Sequence, residues 1–394
     1  MAKRDDFTNW ILMHKNIPVA SLEMIEETGS IVRITDVYDV KHAPVGTLNK
    51  MKIDRKELSG WLAGRSIPAS RQNINQLFEG LGITNSVALA LRSYGLSLSD
   101  QYWIKPDSVE ISWESVNFFQ NEFSEDVGEI LFRNKDCSEL NINVNSPDNS
   151  SDGWLQKRWS IQNGRRMLVK GGSGYFEQEP YNEEIASLIM SRMNVVHTPY
   201  KQTFIKDKAY SLCENFIGEN TELVTAYNLQ KSMKQLNGIS DYEHLLKCCE
   251  VAGIGNVKCQ LEQMMVVDYI IANTDRHWGN FGFIRDANTL DYKCFAPIYD
   301  SGTSLWHDQH NTLIDVECKS FAPTHRKQIK LIKDLSWYEP MSENDLTEIV
   351  VKVLYKHPFM NEERIDMIAR GVSKKASFIT ELKRELSPVI IPVK

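Results

Sequence analysis

The chain has no pair of cysteines at C-x-x-C spacing. Its seven cysteines, Cys137, Cys213, Cys248, Cys249, Cys259, Cys294 and Cys318, are odd in number and scattered, so neither a zinc site nor a disulfide framework is indicated. A reducing, cytoplasmic setting is expected. There is no long apolar run. The longest, Met264 to Ala272, falls well short of the ~20 residues of a spanning helix and contains Asp268. The first residues, MAKRDDFTNW, hold no apolar core of the signal-peptide kind, so neither export nor a membrane is expected. Positive charge is not in excess either: 45 Lys and Arg face 52 Asp and Glu, a net charge of -7. That balance argues against a general nucleic-acid binder, leaving any such contact indirect or confined to a local patch. What is present is ordinary for a globular protein, 42% hydrophobic and 25% charged residues over 394 positions, a length that suggests two to three domains.

Read in order, the chain mixes short strands and helices. Trp10 to Val19 and Ile31 to Val40 have strand composition, with a turn at Glu27-Thr28-Gly29-Ser30. Asp54 to Ala63 and Ser70 to Leu81 read as two helices separated by Ile67-Pro68, with Ser70 as a candidate N-cap. Basic residues around this pair admit a helix-turn-helix reading, but interspersed acids and the lack of a distinctive turn favour ordinary packing. Residues 112 to 133 carry aromatic and aliphatic side chains at helical intervals, the pattern of a core helix. Asn143 to Asp152 is the most polar and turn-rich stretch and predicts a boundary or a mobile loop. Thr221 to Lys258, 325 to 335 and 342 to 387 read as mostly helical, with Ser342 and Asn361 as candidate N-caps and a break at His357-Pro358. The expected division is an α/β module over 1–110, a β-rich lobe over 111–217 and an α-rich lobe over 218–394.

The stretch from Leu261 to Leu305 organises the rest. An apolar segment of helical spacing, Met264, Val267, Ile270 and Ile271, runs into a polar knot, Asn273-Thr274-Asp275-Arg276-His277-Trp278-Gly279-Asn280. Two strand-like runs follow around Asp286-Ala287-Asn288-Thr289, and the second exits at Tyr299-Asp300. Phosphoryl transfer needs a carboxylate at the attacking hydroxyl, and an amide oxygen with a second carboxylate at the metal. Protein kinases arrange them as D-x-x-x-x-N followed by a hairpin and an Asp. Asp275, Asn280 and Asp300 have that spacing. Taken alone, the knot reads equally well as a polar loop at a helix end, with Asp275 and Asn280 as caps.

An earlier region completes the pattern. Trp159 to Gln162 and Arg165 to Lys170 flank Asn163-Gly164, a strong hairpin signal. A helix is predicted from Pro180 to Met193, with Glu183 and Glu184 in its first turns, then strands at Tyr200 to Ile205 and Ala209 to Phe216. A lysine ending the second strand of a hairpin can reach the phosphates, and a glutamate on the next helix can fix it. Singly, Lys170 suits a solvated strand end and Glu183 a helix N-terminus. The order of all the parts favours a kinase. The glycine-rich loop of ordinary protein kinases is missing, since Gly171-Gly172-Ser173-Gly174 follows the lysine.

These residues resemble the HipA-like serine/threonine kinases of bacterial toxin–antitoxin loci over roughly 145 to 305. Ser150-Ser151-Asp152-Gly153-Trp154-Leu155-Gln156-Lys157 is similar to the family's phosphate loop, S-x-x-G-x-Q-x-K, with Gln156 displaced by one position. The resemblance implies nucleotide contacts from Ser151, Gly153 and Lys170, with Ser150 or Ser151 as the autophosphorylated serine. Asn182-Glu183 matches the N-E that opens the following helix, which favours Glu183 as the lysine's partner. Glu214 and Phe216 of Cys213-Glu214-Asn215-Phe216 match the adenine-contacting hinge. Asn273-x-Asp275-x-His277-x-x-Asn280 matches the catalytic loop, and Ala296-Pro297-Ile298-Tyr299-Asp300 the metal loop. The chain departs from the family at Arg276 and Gly279, where a small residue and a lysine are usual.

The implied fold is α+β, two-lobed and protein-kinase-like, with a β-rich N-lobe bearing an N-terminal extension and an α-rich C-lobe. The implied reaction uses ATP and Mg2+ to phosphorylate a protein serine or threonine, and an antitoxin is a possible partner. Asp275 would orient or deprotonate the hydroxyl, His277 would support the loop, and Asn280 and Asp300 would hold the metal. Two other readings compete. Asp275-Arg276-His277-x-x-Asn280 also resembles the D-R-H-x-x-N of phosphoinositide kinases, which would make the acceptor a lipid or small molecule. A silent kinase fold used as a binding module would bind nucleotide without turnover.

Overall fold

The computed structural model describes residues 7–71, 73–133, 142–151, 153 and 155–386. Cys137, Asp152, Trp154, residues 1–6 and residue 387 lie outside them. The chain opens with an antiparallel meander, β1 (Thr8–His14), β2 (Ile17–Ile25) and β3 (Ser30–Val37). One strand was expected over Trp10 to Val19, but Lys15 takes φ 50 and folds the chain back on itself. The two-residue strands β4 (Leu48–Asn49) and β5 (Lys52–Ile53) lead into helix α1 (Arg55–Gly64), whose Asp54 cap accepts from the Lys56 and Glu57 amides. Helix α2 (Ile74–Leu81) begins later than the sequence predicts. Ser70 is not its cap, because Arg71 turns away to bind a distant loop and Asn73 at φ 65 starts the helix instead. Helix α3 (Ser86–Leu91) follows, and β6 (Tyr102–Pro106) pairs with β1, giving the order β3-β2-β1-β6.

The single helix expected over 112–133 is two, α4 (Trp113–Val116) and α5 (Asp126–Arg133). Asn117 causes the break, since its side-chain oxygen accepts from the Phe119 and Gln120 amides and closes a turn where the helix would continue. A second sheet comprises β7 (Lys157–Gln162), β8 (Arg165–Lys170), β9 (Tyr200–Ile205) and β10 (Lys208–Glu214), ordered β7-β8-β10-β9. Asn163 at φ 52 and Gly164 at φ 77 form the primed turn that their sequence predicts. Helix α6 (Glu179–Arg192), between β8 and β9 in the chain, packs on this sheet.

The remainder is mostly helical. Strand β11 (Thr221–Thr225) is an exception inside a stretch that reads as helix. Its pairing partner lies some sixty residues on, so its local composition carries no sign of it. After it come α7 (Ala226–Gln230), α8 (Asp241–Val251) and α9 (Val257–Ile270). The hairpin of β12 (Gly282–Asp286) and β13 (Tyr292–Phe295) then pairs with β11, and α10 (His325–Gln328), α11 (Glu343–Leu354) and α12 (Glu362–Leu386) close the chain. Ser342 caps α11, and Asn361 accepts from the Arg364 amide at the start of α12.

The largest core unites α6, α8, α9, α11 and α12. A second joins the first sheet to α1. A third, rich in aromatics, includes Met13, Trp103, Trp113 and Phe118 from the front of the chain with Ile217 and Ile284 from the rear. Beside it lies a buried polar seam. His14 bonds Glu222 at 3.0 Å and His42 at 2.7 Å, Glu222 pairs with Arg285, and Arg285 donates to Tyr102 at 2.9 Å. Among the described residues no helix is long and apolar enough to cross a membrane, and the described cysteines are all free.

Candidate active site

The apolar face of α9 buries Met264, Val267 and Ile270 and delivers the polar knot to the surface of the core. Strand β8 brings Lys170 to the same place from the other half of the molecule. Its ammonium donates to Asp300 at 2.9 Å, to Glu183 on α6 at 3.3 Å and to the Tyr200 hydroxyl at 3.3 Å. Burial pulls this amine down, but the carboxylates of Asp300 and Glu183 outweigh it and hold Lys170 charged, well above the ordinary lysine range. Burial opposes ionisation of Asp300 too, and Lys170 with Lys157 and Arg276 overcomes it, so this carboxyl stays well below its usual value. Glu183 moves up, chiefly through burial. Glu184 pairs elsewhere, with Lys356 at 3.6 Å.

Asp300 sits at φ 56, a conformation rare for a side-chain-bearing residue. Its neighbours enforce it. The Tyr200 hydroxyl accepts from the Asp300 amide, Glu183 accepts from the Ser301 amide at 2.9 Å, and Asn182 donates to the Gly302 and Ser304 carbonyls at 2.8 Å. The Asn182-Glu183 pair thus anchors the loop that follows Asp300 as well as the lysine.

Arg276 joins the two loops. The guanidinium is 1% exposed and pairs with Asp268 on α9 at 3.0 Å. It also donates to the Asn280 carbonyl at 2.9 Å, the Tyr299 carbonyl and the Ser301 hydroxyl at 2.9 Å. Asn273 adds to the scaffold, donating to Asp268 at 2.8 Å and accepting from the Asp275 amide at 3.0 Å. His325 contacts the Asn273 carbonyl at 2.7 Å, and burial pushes its pKa down to about 4, so it serves as a neutral donor. The sequence pattern placed Asp275 and Asn280 in one loop but gave no role to Asp268, Arg276, Tyr200 or His325. The signal for Asp268 was a carboxylate inside an apolar helix, which requires a buried cation as partner.

Lys170, Asp275, Asn280 and Asp300 line one cavity of about 900 Å3, together with His277, Ser150, Ser151, Gly153, Glu214 and Phe216. Of the residues predicted for the site, Glu183 does not line this cavity and reaches it through its contact with Lys170. His277 is exposed, and its ring accepts from the Gly279 amide at 3.1 Å, a loop-shaping bond. The Asp275 carboxylate accepts from Lys319 at 2.6 Å, a contact between residues distant in sequence. Glu214 directs its side chain to Arg165 at 3.0 Å on the surface. The Phe216 ring leans on Tyr299, with centroids 5.4 Å apart.

The polar stretch ahead of the first hairpin strand differs from the boundary or mobile loop expected of it. Pro147–Ser150 is a 3-10 turn, and Ser146, Asp148 and Asn149 are fully buried. Ser150 donates to the Leu96 carbonyl, and Ser151 donates to the Asp148 carbonyl at 3.0 Å while accepting from Arg71 at 2.8 Å. Polar composition misled here because the side chains of Asp148, Ser150 and Ser151 are buried and bond to protein partners. Gly128 leaves room for Asp148, since a Cβ there would lie 2.4 Å from its carboxylate.

The donor set fits a hard divalent ion. Asp300 offers a carboxylate 32% open to the cavity. The Asn280 amide nitrogen is bound to the Asp275 carbonyl at 3.0 Å, which leaves the amide oxygen available to a metal ion. No cluster of three His, Cys, Asp or Glu is found among the described residues. A magnesium ion takes one or two carboxylates and completes its shell with water and substrate phosphates.

No family model matches the chain. Over 200 residues it is 25% identical to the serine/threonine-protein kinase CtkA of Helicobacter pylori, an alignment covering 46% of this chain and 58% of CtkA. The crystal structure of CtkA superposes with a TM-score of 0.42 at 19% identity, over 58% of this chain and 94% of that one. HipA of Shewanella oneidensis, solved with HipB and operator DNA, superposes over 95% of this chain and 99% of its own with a TM-score of 0.57 at 12% identity. The resemblance to the HipA-like serine/threonine kinases thus extends to the fold of nearly the whole chain and, toward one such kinase, to its sequence.

Proposed function

We propose that this protein is an ATP- and Mg2+-dependent kinase that phosphorylates serine or threonine hydroxyls of a protein. One observation carries the reading: the ammonium of Lys170 lies within hydrogen-bonding distance of both Glu183 and Asp300, at the cavity that Asp275 and Asn280 also line. Lys170, fixed by Glu183, binds the phosphates. Glu214 and Phe216 bracket the base, and Ser151 and Gly153 border the phosphates. Asn280 and Asp300 would hold a magnesium ion, which would supply neutralisation of phosphate charge there. Asp275 orients the acceptor hydroxyl and takes its proton. The hydroxyl oxygen bonds to the γ-phosphorus, the bond to the β–γ bridging oxygen breaks, and ADP leaves. His277 supports the loop.

Ser150 and Ser151 are proposed as self-modification sites. Both hydroxyls are buried and bonded inward, so phosphorylation requires the turn to leave its seat, and a dianion would oppose its return. An antitoxin-like protein is the proposed partner, as HipA of Shewanella oneidensis was solved with HipB. A cytoplasmic location is proposed with it.

The test is transfer of label from γ-labelled ATP in a cell lysate. Asp275→Asn is expected to abolish it, and retained transfer would remove Asp275 from the mechanism. Thin-layer analysis distinguishes protein from lipid acceptors. The lipid reading rests on the Asp275-Arg276-His277-x-x-Asn280 pattern, whose Arg276 guanidinium is buried and committed to Asp268 and the loop carbonyls. Nucleotide binding with no labelled product would favour a silent module.

A further inference from the structure

The loop that carries Asp275 provides no mobile cation of its own. Between Asn273 and Asn280 it holds only Arg276 and His277 as basic side chains. Arg276 is buried under the loop, and the His277 ring is bonded to the Gly279 amide. A cation nevertheless reaches Asp275 from a separate segment. Lys319 places its ammonium 2.6 Å from the Asp275 carboxylate and keeps 53% of its side chain open to solvent.

The segment bearing Lys319 is built to hold that position. Cys318 and Ser320 on either side are buried, while Lys319 points outward. The Trp278 indole, in the catalytic loop itself, donates to the Ser320 carbonyl at 2.8 Å. Phe321 packs edge-on against Trp278 and Phe281. Beneath them, the buried Gln328 side chain accepts from Cys318 at 2.8 Å, from Ser320 at 2.9 Å and from the Phe321 amide at 2.9 Å. A surface ion pair formed by chance would not need its backbone clamped on both sides.

We propose that Lys319 is a further catalytic residue, the cation that grips the γ-phosphoryl group beside Asp275. The proposal rests on the kinase reading above. An ammonium has three donors and no acceptor, so one can stay on Asp275 while another meets a phosphoryl oxygen. Such a contact strengthens as charge accumulates on the transferred group. It also discriminates the triphosphate from the diphosphate, because only the former presents that group.

Calorimetric titration of the full chain in Mg2+ with ADP and with β,γ-imido-ATP tests this without turnover. The wild type is expected to prefer the triphosphate analogue. Lys319→Met should bind ADP as the wild type does and lose about tenfold in affinity for the analogue, the scale of one charged hydrogen bond. Lys319→Arg should retain most of the preference. An unchanged analogue-to-ADP ratio in Lys319→Met overturns the proposal and leaves the kinase reading intact. A wild type that binds neither nucleotide overturns both. In label transfer, Lys319→Met should lower kcat more than it raises KM for ATP, with an unchanged melting temperature. Faster transfer would mean that the lysine blocks Asp275, which also overturns the proposal.

Discussion

Replacing Arg276 by methionine tests the physical core of the site. In the wild type its guanidinium is inaccessible and pairs with an equally buried Asp268, each side chain 1% exposed. Methionine fills much of the space but leaves the Asp268 carboxylate with the Asn273 amide as its remaining partner. Removing one partner of a buried ion pair costs about 3–5 kcal/mol, because the other charge stays out of water. The lost bonds to the Asn280 and Tyr299 carbonyls weaken the link between the two loops. Urea denaturation followed by tryptophan fluorescence should show that loss, and label transfer should fall with it. The double variant Arg276→Met/Asp268→Leu removes both charges and is expected to regain most of the stability, since an apolar replacement of a buried pair is often neutral. It should not regain activity. A single variant within about 1 kcal/mol of the wild type, or a double variant no more stable than the single, would refute the reasoning.

Asp148 gives a pH signature. Burial raises its pKa from 3.8 to about 7. The folded state therefore holds this proton more tightly than the unfolded chain does, and the stability it contributes is full below pH ~4 and is lost as pH rises through ~7. Asp148→Asn should be more stable than the wild type at pH 8, by up to about 4 kcal/mol, and no more stable at pH ~4. Thermal melts across that range check the sign, and an unchanged slope would contradict it. Lys170→Met should weaken ATP binding at least about tenfold by equilibrium dialysis, through loss of a charged contact to the phosphates. Chelating divalent ions should stop label transfer, and added Mg2+ should restore it.

Much of the site was legible in sequence because its parts are local. Asp275 and Asn280 share one loop, Asp300 closes the adjoining hairpin, and Asn163-Gly164 enforces the turn that leads to Lys170. The two-lobed α+β architecture followed from the order of those parts. What escaped was non-local. Strand β11 exists through pairing with β12, the first strand is two because Lys15 adopts a positive φ, and the 146–151 turn is buried through bonds to Leu96 and Arg71. Lys319 was invisible for the same reason: nothing in a lysine between Cys318 and Ser320 announces a carboxylate more than forty residues upstream.

The polar seam around Glu222 bears on how such a chain can be divided. Its His14 and Tyr102 come from the front of the protein, while Glu222 and Arg285 come from the rear. A fragment cut near residue 110 would leave the Glu222–Arg285 pair without its His14 and Tyr102 partners, alongside Ile217 and Ile284, which share a core with Trp103. The front hundred residues are therefore no detachable adaptor. Grafting the rear half onto another protein would require carrying them along, or rewriting both flanks of the join together.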